Sequence, residues 1–197
     1  YKGASAALTD ENFEVAKLQL AQQGSIPADA TVIIVAGATG DFLPQETDLV
    51  RAYLANGGKV LLMFDPPSAK STAAPPAILM ALAKEWGIQV GDDIVVDPNG
   101  QQLGADASVV VGMPQSHAIT ANFRQMTAYR VARSVTPVQG GASSKFAQAI
   151  VQSGPGSWAE SDVKGLFTTG RPEKALDKGD KNGPVAVGAA VSAPAAN

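Results

Sequence analysis

VIIVAGATGDFLPQETDLVRAYLANGGKVLLMFDPP, residues 32–67, decides how this chain is read. It opens with a continuous apolar run, 32–36, of the kind that forms a strand buried on both faces. From Pro44 the pattern turns helical, because proline suits a first helical position, where its fixed φ fits and its missing N–H is no loss. Leu49, Val50, Tyr53 and Leu54 form one apolar stripe, and Asn56-Gly57-Gly58 stops the helix. Residues 59–64 are a second apolar strand, closed by Asp65-Pro66-Pro67. Strand, helix and strand at this spacing make a βαβ unit, which requires parallel strands and a right-handed crossover.

Working outward, 4–11 is alanine-rich and predicts a short helix. Phe13, Val15, Leu18 and Leu20 carry mixed spacing that favours a strand over 14–20. Ile78, Leu79, Leu82 and Trp86 repeat the helical stripe and place Trp86 in the core. Short β-type runs follow at 109–111, 146–151 and 185–191, and 153–158, SGPGSW, reads as a loop. Extending the βαβ pattern predicts an α/β fold. It is a mostly parallel sheet with helices on both faces, Rossmann-like, with an irregular C-terminal part. The 197 residues read as one domain, with 168–183 a mobile loop and 192–197 a frayed tail.

Composition narrows the function. Apolar residues at 45% and charged residues at 17% describe an ordinary globular chain. A net charge of −3 gives no electrostatic footprint for nucleic acid, and the basic residues lack the aromatic interleaving that single strands need. Cysteine is absent, which removes disulfides, thiolate metal sites and every cysteine nucleophile. With one histidine, a zinc site would have to rest on His117 and carboxylates. The chain opens Tyr1-Lys2-Gly3 without a secretory apolar core and reads as an excised or processed fragment, which leaves open whether membrane anchors lie outside it.

Gly37-Ala38-Thr39-Gly40 after a strand resembles the start of a dinucleotide loop, in which glycines allow the tight turn and the close approach of pyrophosphate. The fingerprint needs a third glycine at 43, where Leu43 stands, and Asp41 would set a like charge against a phosphate. The stretch therefore reads as a βα turn, with no cofactor expected.

Six stretches in order carry a resemblance: IPADATVIIVAG (26–37), YLANGGKVLLMFDPP (53–67), EWGIQVGDDIVVDP (85–98), SHAIT (116–120), SGPGSWAES (153–161) and GPVAVGAAV (183–191). Together they resemble the extracytoplasmic domain of the GldG-like auxiliary component of ABC-type transport systems linked to gliding motility. The resemblance implies a domain akin to class I glutamine-amidotransferase-like folds, without known catalytic residues. It also implies membrane helices outside this chain, and a permease and an ATPase as partners. Ala118 stands where the family commonly has proline.

Asp65 and Asp97 each end a strand before proline and belong at the carboxyl edge of a parallel sheet, where open α/β sheets bind ligands. There they would hold a cation, act as acid and base, or cap turns through backbone N–H groups. His117 is the only histidine a serine triad could use; Ser143, Ser144, Ser153 and Ser157 are distant in sequence. Ser157 and Trp158 follow a Gly-Pro-Gly turn, where Trp158 reads either as a contact for a partner or ligand or as packing over the loop. Asp92-Asp93 reads as a solvated turn. The reading adopted is a non-enzymatic interaction domain of a transporter accessory, at the outer face of the membrane and capable of self-association. Asp65, Asp97, His117, Ser157 and Trp158 are its candidate contacts. A sugar- or peptide-binding module is one alternative; an NAD(P)-dependent or hydrolytic enzyme is another.

Overall fold

The computed structural model describes residues 1–38, 40–68, 75–138 and 144–195. Thr39 of the glycine loop, Ser143 and most of the 68–76 loop lie outside the described residues. Among these residues the α-helices are α1 (Lys2–Asp10), α2 (Leu20–Gln23), α3 (Pro44–Ala55), α4 (Ala77–Glu85), α5 (Asn99–Gln102) and α6 (Val163–Thr169). The strands are β1 (Val32–Ala36), β2 (Lys59–Met63), β3 (Ile88–Val90), β4 (Ile94–Val96), β5 (Val109–Pro114), β6 (Thr127–Arg130), β7 (Val135–Pro137), β8 (Phe146–Gln152), β9 (Trp158–Glu160), β10 (Lys181–Asn182) and β11 (Ala186–Ser192).

The βαβ unit forms as its sequence dictates. β1 and β2 are parallel, with Val32 beside Lys59, Ile34 beside Leu61 and Ala36 beside Met63. α3 begins at Pro44, and the Glu46 carboxylate accepts the Leu43 N–H at 2.8 Å, which caps its first turn. The stripe predicted for α3 buries Val50 completely, against Leu82 of α4 and Leu20 of α2, with Leu18, Ile26, Val60 and Trp86 packed around them. Arg51 of α3 clasps Glu85 of α4 in a two-point ion pair, at 2.6 and 2.9 Å.

The extension of that pattern to the whole chain is overturned. Only β1 and β2 run parallel; every other pairing among the described residues is antiparallel, in the orders β10-β9-β4, β11-β8-β5-β6 and β3-β7. The fold is mostly antiparallel with few helices. It is not a Rossmann-like or amidotransferase-like parallel sheet with helices on both faces. The cause lies in the connections, since a parallel crossover needs a dozen or more residues, most often a helix. After β3 the strands are short and many of the links between them are tight. Three residues join β3 to β4 and five join β8 to β9. Short apolar runs such as Ile94–Val96 look alike in either kind of sheet.

The antiparallel part has its own core, in which Val95, Val110, Ala159 and Val185 are buried with Tyr129, Ala132 and Val187 against them. The strand expected over 14–20 is also absent. Residues 13–19 make no ladder and Leu20 opens α2. Leu18 and Leu20 turn into the α3 core, whereas Phe13 and Val15 stay 54% and 48% exposed. Alternation without a neighbouring edge gives no strand.

Candidate functional site

The carboxyl edge of the β1–β2 pair is where a ligand of an open α/β layer would sit. Gly37 adopts φ +58°, the left-handed region that spares a glycine strain. A methyl group there would run into the Tyr1 hydroxyl and lie 3.2 Å from the Asp65 carboxylate. The space over this glycine is thus taken by the chain's own side chains. Asp41 accepts the N–H groups of Ile78 at 2.7 Å and Leu79 at 3.3 Å, capping α4, and also that of its neighbour Phe42 at 3.0 Å. With Glu46 on α3, both helix N-termini at this edge already hold a carboxylate of the protein. What is left is a cleft of about 40 Å³ lined by Val35, Leu62, Phe64, Asp65, Pro76 and Leu79, room for little more than water.

Asp97, Ser157 and Trp158 are brought together elsewhere. Val96 pairs with Trp158 across β4 and β9, so Asp97 and Ser157 follow on at the same end. Asp97 is fully buried and accepts the N–H of Asn99 at 3.0 Å and of Val111 at 2.9 Å. Ser157, also fully buried, shares a 2.6 Å bond with Ser153 and donates to the Gly154 carbonyl at 2.7 Å. Trp158 lies in β9 rather than in a loop. It is buried, and its indole N–H donates to Glu160 at 3.3 Å. Asp65 and His117 stand apart from this group. Asp65 is exposed at the end of β2. His117 lies between β5 and β6, where its Nδ1 accepts the Ile119 N–H at 3.0 Å as the cap of a 3₁₀ turn.

The most demanding polar residues were not legible beforehand. Arg133 is 5% exposed and donates through Nε to the Gly91 carbonyl at 2.7 Å and through Nη1 to the Asp65 carbonyl at 2.9 Å, while its Nη2 lies 3.7 Å from Asp92 and makes no hydrogen bond among the described residues. Burial lowers its pKa against the opposing pull of Asp92 and Asp93. Asp93, read as solvated, is buried and holds the N–H and hydroxyl of Ser134 at 2.8 and 2.7 Å. Forty-one residues separate the two, and no local spacing reveals such a pair.

Asp180 pins the 161–180 connection, accepting the N–H of Ala175 at 2.7 Å and the N–H and hydroxyl of Ser161, both at 2.9 Å. Burial pushes its pKa up, but the N–H groups of Ala175 and Ser161, with the Ser161 hydroxyl and Glu160, outweigh that and hold the carboxyl below its usual value. Its stabilisation is therefore complete above an unfolded pKa of about 3.9 and lost as pH falls through the lower folded value. Asp180→Asn is expected to destabilise the protein at neutral pH, with the deficit shrinking below about pH 4. Acid unfolding followed by tryptophan fluorescence checks this, and a deficit that stays constant into strong acid would contradict it.

Among the described residues no cluster of three metal-ligating side chains occurs, and no helix is long and apolar enough to cross a membrane. No curated protein matches the chain. A solved structure titled "mmIFT52 N-terminal domain" is similar at a TM-score of 0.57 and 16% identity, over 79% of this chain and 70% of that one, a likeness of fold alone. Residues 5–196 match the family described as an ABC-type uncharacterized transport system, and over that span the chain belongs to this family of transport-system auxiliary components.

Proposed function

We propose that the chain is a non-catalytic, extracytoplasmic docking domain of a GldG-like auxiliary protein, which engages the permease of an ABC transporter driven by a separate ATPase. The observation that carries this reading is the open face of the β1–β2 pair. Val32, Ile34, Leu61 and Met63 share that face by register and remain 45%, 48%, 49% and 50% exposed. Parallel strands ordinarily have both faces covered, and an exposed apolar patch marks an interaction surface. The permease is the occupant that membership of a transport-system family favours. The non-catalytic part of the reading is supported by the side chains best suited to chemistry. Asp97, Ser157 and His117 all bond to their own backbone.

The test is co-purification of the permease with the full-length protein from solubilised membranes. Wild type is expected to recover it, and Ile34→Lys with Leu61→Glu, an opposite-charge pair across the strands, to lose it while the circular dichroism stays that of the folded protein. Recovery of no transporter subunit by wild type, or equal recovery by the double variant, would overturn the proposal.

A further inference from the structure

All 18 acidic residues lie outside 107–159, a stretch that nevertheless carries Arg124, Arg130, Arg133 and Lys145. Within it the link between β5 and β6 builds a groove. The β5–β6 ladder stops at Gly112 beside Thr127, and the strands diverge beyond it. The intervening residues are held in place by several bonds. The Thr120 hydroxyl donates to the Gln115 carbonyl, Gln115 N–H to Ile150 at 2.8 Å, and Gln148 Nε2 to Ser116 at 2.8 Å. The result is a groove of about 440 Å³ lined by Met113, Gln115, Thr120, Phe123, Arg124 and Met126. Phe123 is 44% exposed and Met126 66%, and Arg124 forms no ion pair among the described residues. Flexible methionines beside an aromatic ring and a free guanidinium fit an apolar segment that carries carboxylates.

The same chain presents such a segment. α1 buries no residue, and 9–17 is exposed throughout. In Leu8-Thr9-Asp10-Glu11-Asn12-Phe13-Glu14-Val15, the acids Asp10, Glu11 and Glu14 lie among the apolar Leu8, Phe13 and Val15. It is already shaped: Asn12 takes φ +64°, its N–H bonds the Thr9 carbonyl at 2.9 Å, and the Phe13 N–H bonds the Leu8 carbonyl at 2.9 Å. That is a left-handed helix stop of the kind that brings the flanking apolar residues, here Leu8 and Phe13, onto one side. A preformed knob loses little freedom on binding.

We infer that the groove between β5 and β6 receives the 8–15 segment of a second copy of this chain, with Phe13 against the methionines and the Glu11 and Glu14 carboxylates near Arg124. Knob and groove are different surfaces, so two copies that exchange them reciprocally close as a two-fold dimer, and a one-way exchange builds rings or open chains. The contact is small, and the association is weak, reversible and salt-sensitive. This goes beyond permease docking and uses a different surface.

Sedimentation velocity of the isolated chain tests it. The mean mass of wild type is expected to rise with concentration into the submillimolar range and to fall on adding salt. Arg124→Glu and Glu14→Arg, both at exposed positions, should each weaken association about tenfold or more. An equimolar mixture of the two variants should regain it, because one supplies a reversed groove and the other a reversed knob. A wild type that stays monomeric throughout, or association that neither variant weakens, would overturn the inference. So would loss of permease recovery in Arg124→Glu from a protein that is itself monomeric, which would assign the groove to the transporter. Failure here leaves the β1–β2 face and its test untouched.

Discussion

Arg133→Ala is expected to lower the unfolding free energy by about 3 kcal/mol, the scale of two lost charge-assisted hydrogen bonds and a cavity, partly offset because the guanidinium no longer has to be desolvated. Arg133 reaches from the β6–β7 link to the Gly91 carbonyl, at the turn after β3, and to the Asp65 carbonyl at the end of β2. It ties the end of the parallel pair to the antiparallel part of the molecule, as Lys145 ties α4 through Glu85 and Trp86. The acid nearest Arg133, Asp92, is 3.7 Å away and 81% exposed, while the buried Asp93, which also attracts the guanidinium, keeps Ser134 and Lys181 as partners when the cation is removed. Arg133→Lys is expected to recover little, since an ammonium lacks the planar fork that serves two carbonyls at once. Arg133→Met separates packing from polarity by keeping an apolar stem. Urea unfolding of the three variants checks the account. A methionine variant as stable as wild type would show that the two bonds only balance the burial of the charge.

The second large effect is expected at Asp97. Its carboxylate serves a different backbone N–H group with each oxygen, and the residue has no exposed surface. Asp97→Ala leaves the Val111 N–H without a partner in the interior, beside the Val95–Val110 core, and removes the bond to Asn99 at the start of α5. A buried orphan donor costs about 1–3 kcal/mol and a lost cap about 1 kcal/mol, so about 3 kcal/mol is expected. Against a typical domain stability of about 5–15 kcal/mol this is severe. Asp97→Asn keeps one acceptor and turns an NH₂ group toward the other donor, and is expected to fall between. Hydrogen exchange at the Val111 amide gives the local readout. Its protection should drop in Asp97→Ala by more than the global loss of stability explains, and unchanged relative protection would sink the argument.

Local pattern was legible where local physics decides. The continuous run at 32–36, Pro44 at a helix start and the Leu49-Val50-Tyr53-Leu54 stripe produced β1, α3 and β2 where expected. They did so because each signal acts within a turn or a strand. Sheet direction after residue 88 was not legible, because Ile94–Val96 has one appearance in either kind of sheet and its partner, β9, lies sixty residues on. β9 itself was hidden by the Gly154-Pro155-Gly156 turn, which made Trp158 look like part of a loop. At the site, the sequence pointed to Asp97 through its Asp-Pro signal, and the structure shows the backbone bonds that give this aspartate its place. Arg133, Asp93 and Asp180 carry no such local sign. Their partners are fixed by tertiary packing, and a charged residue in an unassigned stretch reads as surface until the fold is known.

The two apolar cores form separate clusters, one gathered by α2, α3 and α4 and the other by β4, β5 and β9. Cooperativity then has a natural seam, crossed by Arg133 and by Lys145 over Trp86, and partial opening is expected to follow it. A heating curve read through the Trp158 side chain alone would report the cluster around β9 and say nothing of the one that holds Trp86.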